Sequence, residues 1–217
     1  MKLKNIFLIL SIISFVATGV IYPYLPQTIP AIWNFSGEVE QYFHKAYVFL
    51  LAALPFLIYM LIWLVPKIEP KRENYKKHKK AFEAVILSVI VVLLVRQWYG
   101  ILISLNYLSD IHLPMKLAVG LLFIIMGNYM TQIKHNYTFG IKTPWTLASE
   151  SVWQKTHRVG AYTFFMLGIL WVAASFFHHR FVSFVLIALI IAVILFLFVY
   201  SYFIYDKERK NKIKNSN

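Results

Sequence analysis

The chain contains no cysteine, so disulfides, thiolate metal ligation, cysteine lipidation and thiol nucleophiles are all excluded. Charge is scarce. Charged residues make up 14% of the sequence, and only nine are Asp or Glu against 22 Lys or Arg. There is no paired-carboxylate motif, no His-Glu-x-x-His, no Gly-x-Ser-x-Gly and no phosphate-cradling loop, which leaves the common hydrolytic and nucleotide-dependent chemistries without a signature. Low-complexity linkers and internal repeats are also missing, and one membrane domain is expected.

What is present is apolar: 59% of residues are hydrophobic and mean hydropathy is +0.63, too greasy for a soluble domain of this length. The apolar residues fall in runs of about 18–25, the length a helix needs to cross a bilayer at about 1.5 Å per residue. Six spans are read: Ile6–Tyr22, Ala46–Val65, Phe82–Leu105, Leu117–Met130, Ala161–Phe177 and Phe181–Tyr205. The fourth is short unless it begins at Leu113 with Lys116 snorkelling at its end. The expected fold is an all-α polytopic bundle with both termini inside. Residues 1–110 form a three-span part with an outer loop at 23–45, and 111–217 a second part with a cytoplasmic loop at 131–158. Span one follows Lys2 and Lys4, and Ala17-Thr18-Gly19 resembles a cleavage site. Its apolar run outlasts a signal-peptide core, so retention is expected.

Charge placement supports this topology independently. Eighteen of the 22 basic residues fall in segments assigned to the cytoplasm, leaving Lys45, Lys116 and Arg180 outside and Arg96 within a span. That asymmetry follows the positive-inside rule. The net charge of +13 is read as attraction to anionic lipids, concentrated in the Lys71–Lys80 run, rather than as direct nucleic-acid binding.

Two polar segments break the pattern. In the outer loop, Pro23, Pro26 and Pro30 impose an extended path, and Asn34-Phe35-Ser36-Gly37 signals a turn. Trp33, Asn34, Phe35, Gly37, Glu38 and Tyr42 are candidate contacts for a hydrophobic or cationic peptide arriving from outside; a headgroup-level aromatic belt is the plainer reading. The second segment, Gly127 to Gly160, is too long to be a mere connector. Thr143-Pro144 reads as a capped helix start and Ser149-Glu150 as a second cap from which a helix runs into the fifth span. Trp153 and His157 then share a face, Gly160 permits close helix approach, Asn136 and Gly140 supply tight turns, and Asn128 is a buried amide needing a partner.

These segments resemble the SdpI family of bacterial bacteriocin-immunity proteins. The resemblance rests on Gly127-Asn128, Asn136, the Gly140-Ile-Lys142-Thr143-Pro144-Trp145-Thr-Leu147 block, and Val152-Trp153 with Thr156-His157-Arg158. Leu25 to Gly37 looks like the domain of unknown function that often precedes this signature, with Ala31-Ile32 departing from its pattern. The resemblance spans roughly residues 20–200. It implies a membrane protein that protects its producer from a secreted peptide toxin. In the best-known member it also implies recruitment of a cytoplasmic transcriptional repressor when toxin is engaged. No cofactor or metal is expected. Three alternative readings stand beside it: an acid–base site from His157, Glu150 and Asn128; a metal site from His178, His179, His112 and Asp110; and a transporter using Arg96, placed in the outer half of its span to snorkel or pair with Asp110.

Overall fold

The computed structural model describes residues 3–34, 38–177 and 179–216. In chain order it contains α1 (Leu3–Ile21), a 3-10 turn (Tyr22–Tyr24), β1 (Thr28–Trp33), β2 (Val39–His44), α2 (Tyr47–Ile68), α3 (Arg72–Ser104), α4 (His112–Met130), α5 (Pro144–Ala148), α6 (Glu150–Ala174) and α7 (Arg180–Ser216). All of these helices except the five-residue α5 are long and apolar enough to cross a membrane. The protein is a multi-pass, all-α membrane bundle carrying one small hairpin.

The helices overshoot the apolar runs. α3 has 33 residues, and its first turns contain Arg72 to Lys80, so the basic run is helix rather than loop. α4 starts at His112, which gives the short fourth span its missing turn. Lys116 does not snorkel: it is buried, and its ammonium donates to the Phe177 carbonyl at 2.9 Å. α2 stays helical through both Pro55 and Pro66.

The sequence implied an extended outer loop but no pairing. Pro23 instead sits in the 3-10 turn that continues α1, because its fixed φ suits a first helical position. The chain extends only beyond it: Pro30 lies in β1, and β1 and β2 pair antiparallel with register shifts around Ile32. Pro30 is tolerated because a two-stranded sheet has only edge strands. Beyond Trp33, Asn34 N–H donates to the Glu38 carbonyl and Asn34 Nδ2 to the Glu38 carboxylate, at 3.0 and 2.9 Å. β1 faces the bundle, burying Ile29 and Ala31, while β2 is largely exposed.

Close packing concentrates between α4 and α6. A Cβ on Gly127 would lie 2.5 Å from Phe165 N, one on Gly168 would lie 2.6 Å from Ile124 N, and one on Gly120 would meet Val172. Without a hydrophobic drive between helices in lipid, such backbone approach is a main source of association. Gly160, expected to serve this purpose, instead makes room for the Ile141 and Met130 side chains. α1 is joined to α3 by a buried polar ladder: Gln97 Nε2 donates to Thr18 Oγ1 at 2.7 Å, Ser14 Oγ to Gln97 Oε1 at 3.2 Å, and Trp98 Nε1 to Ser14 Oγ at 2.9 Å. The first span is thereby built into the bundle.

Candidate functional site

Six consecutive spans put the start of α1, the α2–α3 corner, the segment between α4 and α6 and the end of α7 at one end, and the hairpin at the other. The first end holds the 131–158 segment, which is folded into a clasp. Asn136, fully buried, organises its turn. Its Oδ1 accepts the Thr138 and Phe139 N–H groups at 2.9 and 2.7 Å, and its Nδ2 donates to the Lys134 and Phe139 carbonyls, both at 2.8 Å. Asn136 thus shapes the turn through its amide, whereas Gly140 supplies the left-handed backbone, at φ +119°.

The caps form where the sequence placed them. Thr143 Oγ1 accepts Thr146 N–H, and Thr146 Oγ1 accepts Thr143 N–H in return. Ser149 Oγ caps α6 by accepting Val152 N–H. Thr143 also shares a 2.9 Å hydrogen bond with Ser201 of α7, and Trp145 packs edge-on against Phe198 and Tyr202. Thr143 and Trp145 therefore fasten the short α5 to α7, while Pro144 is exposed at its first position.

Trp153 and His157 stack with centroids 4.0 Å apart. Trp153 Nε1 donates to the Ile133 carbonyl at 2.8 Å. His157 Nε2 accepts Ile141 N–H at 3.1 Å, which leaves its proton on Nδ1, 2.9 Å from the Trp153 carbonyl. Both ring nitrogens are committed to backbone. Thr156 is buried beside them, with no hydrogen-bond partner for Oγ1 among the described residues.

Three expected site residues lie outside this core. Asn128 is exposed on α4 rather than buried, because its position on the helix faces away from the α6 contact made by Gly127. Lys142 and Arg158 are exposed, Lys142 donating to the Tyr137 and Thr138 carbonyls. Glu150 is exposed as well. The acid–base trio of His157, Glu150 and Asn128 is not brought together.

Sequence reasoning missed the residues that bind this segment to the α2–α3 corner. Glu69 is 1% exposed. It accepts Lys71 N–H at 3.0 Å, Thr138 Oγ1–H at 2.7 Å and Tyr137 N–H at 3.2 Å. Burial pushes its carboxyl up, but these hydrogen bonds outweigh burial and hold it below the ordinary carboxylate value. Lys71 reaches His135 Nδ1, while His135 Nε2 donates to the Leu147 carbonyl at 3.1 Å and Asn74 donates to the His135 carbonyl at 2.9 Å. The signal was an acid directly before Pro70 in a predominantly basic corner. On the other flank, Glu208 of α7 accepts from Ser151 and pairs with Lys155 at 2.7 Å.

At the hairpin end, Arg96 does not pair with Asp110. It donates to the Ala31 carbonyl and lies over the Trp33 ring at 4.9 Å. Trp33 and Asn34 are therefore structural, one resting on α3 and the other closing the hairpin. Tyr42, 59% exposed, and Glu38 face outward. Phe35 and Gly37, and His178 of the suggested metal cluster, lie outside the described residues.

Two family models match this chain. Residues 132–201 match the SdpI/YfhL protein family, and residues 9–59 match a domain of unknown function (DUF1648). The first covers the clasp, α6 and most of the apolar part of α7; the second covers α1 from residue 9, the hairpin and about half of α2. Over residues 132–201 the chain is similar to the SdpI family. It is 27% identical over 207 residues to Immunity protein SdpI of Bacillus subtilis (strain 168), covering 95% of this chain and 98% of that protein. No solved structure matches it.

Proposed function

We propose that this chain is an SdpI-type immunity protein of the cell membrane that protects its producer from a secreted antimicrobial peptide. The observation that carries this reading is the end-to-end similarity to Immunity protein SdpI, which covers both the hairpin part and the clasp part. The concentration of lysines at the clasp end supports an orientation with that end in the cytoplasm and the hairpin outside. In this orientation the exposed strand β2, with Tyr42 and Glu38, meets the peptide first. Phe35 and Gly37 are further candidate contacts, while Trp33 and Asn34 support the hairpin beneath them. Expression in a toxin-sensitive cell should raise survival against such a peptide; unchanged killing across a panel of apolar and cationic secreted peptides rejects the reading.

A sensing role is the second reading: toxin engagement outside releases or exposes a surface that recruits a cytoplasmic repressor. The hydrogen-bonded joint between the α2–α3 corner and the clasp favours it, since both halves of the chain meet there, beside exposed Lys142 and Arg158. A repressor encoded next to this chain should move to the membrane when toxin is added; a repressor that stays in the cytosol ends this reading and leaves immunity untouched.

A further inference from the structure

We propose that the cavity between the hairpin, α3 and α4 binds a phosphodiester anion, supplied by the headgroup of an anionic phospholipid in the adjoining leaflet. The cavity measures about 350 Å³ and is lined by Trp33, Arg96, Ile111, His112, Met115 and Lys116, among others. Two of those side chains are cations held in unusual surroundings. Arg96 has its Nη2 on the Ala31 carbonyl and its face on Trp33, while Nη1 is buried without a hydrogen-bond partner among the described residues. Lys116 is 7% exposed, and the Phe177 carbonyl takes one of its ammonium protons. An ammonium carries three donors and a guanidinium five, so both have capacity left.

Among the described residues neither cation forms an ion pair. The Asp110 carboxylate acts on Lys116 through its field, while its Oδ1 is held by His112 N–H at 2.8 Å. Two cations withdrawn from water and answered by carbonyls and a ring need a resident counter-charge. Position selects the source. Lys116 is about one turn inside the start of α4, and Arg96 roughly 12 Å inside the end of α3, the depth range where lipid phosphates meet hydrocarbon. Ile111 and Met115 give the cavity an apolar wall for the neck of a lipid. A phospholipid is present at this depth throughout the life of the protein, whereas a peptide carboxylate arrives only with its peptide. The proposal does not depend on the immunity reading.

The test uses the full chain purified in detergent and titrated with phosphatidylglycerol, phosphatidylcholine, a carboxylate amphiphile of equal chain length, or inorganic phosphate. Native mass spectrometry reads the bound species. Phosphatidylglycerol should be retained in preference to phosphatidylcholine, bind about ten-fold more weakly to Lys116→Gln, and recover with Lys116→Arg. Lys207→Gln, at the opposite end, should leave binding unchanged. The unsubstituted chain provides a measurement free of folding defects, because its thermal midpoint should rise with phosphatidylglycerol and not with phosphatidylcholine. Equal retention of the two lipids, no effect of Lys116→Gln, or preference for the carboxylate amphiphile overturns the proposal. Displacement of phosphatidylglycerol by millimolar inorganic phosphate overturns the lipid source and keeps the anion site.

Discussion

Gly140 holds its backbone at φ +119° directly against the His157 ring, so that a Cβ added there would sit 2.5 Å from Nε2. That nitrogen is the one accepting Ile141 N–H. A glycine and a histidine 17 positions apart in sequence thus specify one another: the turn must be left-handed to present the amide, and only glycine leaves room for the ring. Gly140→Ala should destabilise the clasp by about 3 kcal/mol through strain and overlap. His157→Ala should cost a similar amount by orphaning a buried amide and unstacking Trp153. The double variant should cost less than the sum of the two, because removing the ring removes the overlap. Thermal unfolding in detergent measures all three; strict additivity would show that the two residues act separately.

Glu69 gives the joint a pH dependence whose sign is fixed. Its carboxyl titrates below the ordinary value of 4.5 in the folded protein because the hydrogen bonds from Lys71, Thr138 and Tyr137 favour the anion more than burial disfavours it. A depressed folded value means that the contribution is fully present above the unfolded value and is lost as pH falls through the folded one. The Glu69 contribution should therefore be fully present down to about pH 5 and be lost progressively below pH 4.5. Glu69→Gln should lower stability at pH 7 by roughly 2 kcal/mol, the usual worth of hydrogen bonds to a charged group, and should flatten the acid decline. Hydrogen exchange at the Tyr137 and Thr138 amides across that range reports the effect locally; identical profiles for both proteins would count against it.

Much of this architecture was legible before any coordinates. Apolar run length located six spans, and the threonine and serine caps fell where Thr143 and Ser149 announced them, because both signals are local and obey backbone geometry. Trp153 and His157 were placed on one face by helical spacing alone. What escaped were relationships between distant segments. Nothing in the immediate neighbourhood of Glu69 says that its carboxylate will close a turn near residue 138, and hydropathy does not reveal that Gln97 answers Thr18 across two helices. Asn128 was misplaced for a related reason: its polarity suggested burial in a polar cluster, but the close approach at Gly127 turns the adjacent position away from α6. The hairpin was half legible: prolines barred a continuing α-helix, but Pro23 settled into a 3-10 turn rather than an extended path, and pairing depends on β1 finding a seat on α3.

A glycine of α4 and one of α1 provide a matched contrast. Gly127→Ala would push a methyl to within 2.5 Å of the Phe165 backbone nitrogen and 2.7 Å of the Ala161 carbonyl, so α4 and α6 would have to separate. A loss of roughly 2 kcal/mol is expected, as for other overpacked contacts. A methyl at Gly19 in α1 meets nothing within 4 Å, and Gly19→Ala should be neutral or raise stability by about 0.5 kcal/mol through helix propensity. Paired thermal midpoints decide the matter; equal effects at the two positions would mean that the α4–α6 approach is not what limits stability.

Hairpin substitutions separate a structural aromatic from a contacting one. Trp33 covers the Arg96 guanidinium, and its indole edge lies 3.6 Å from a notional Cβ on Gly100. Trp33→Ala should therefore uncover a cation within the span and loosen the hairpin, costing roughly 2 kcal/mol and lowering protection through lost fold. Tyr42 points away from the bundle at 59% exposure, so Tyr42→Ala should change stability by less than about 0.5 kcal/mol. If β2 is the surface that meets the toxin, the same substitution should nevertheless reduce survival of cells challenged with peptide. Survival and thermal midpoint measured on the same pair of variants distinguish the two roles. A Tyr42→Ala protein as stable and as protective as the parent would remove that residue from the contact surface. Loss of protection in Trp33→Ala at unchanged stability would move Trp33 from the scaffold to the interface.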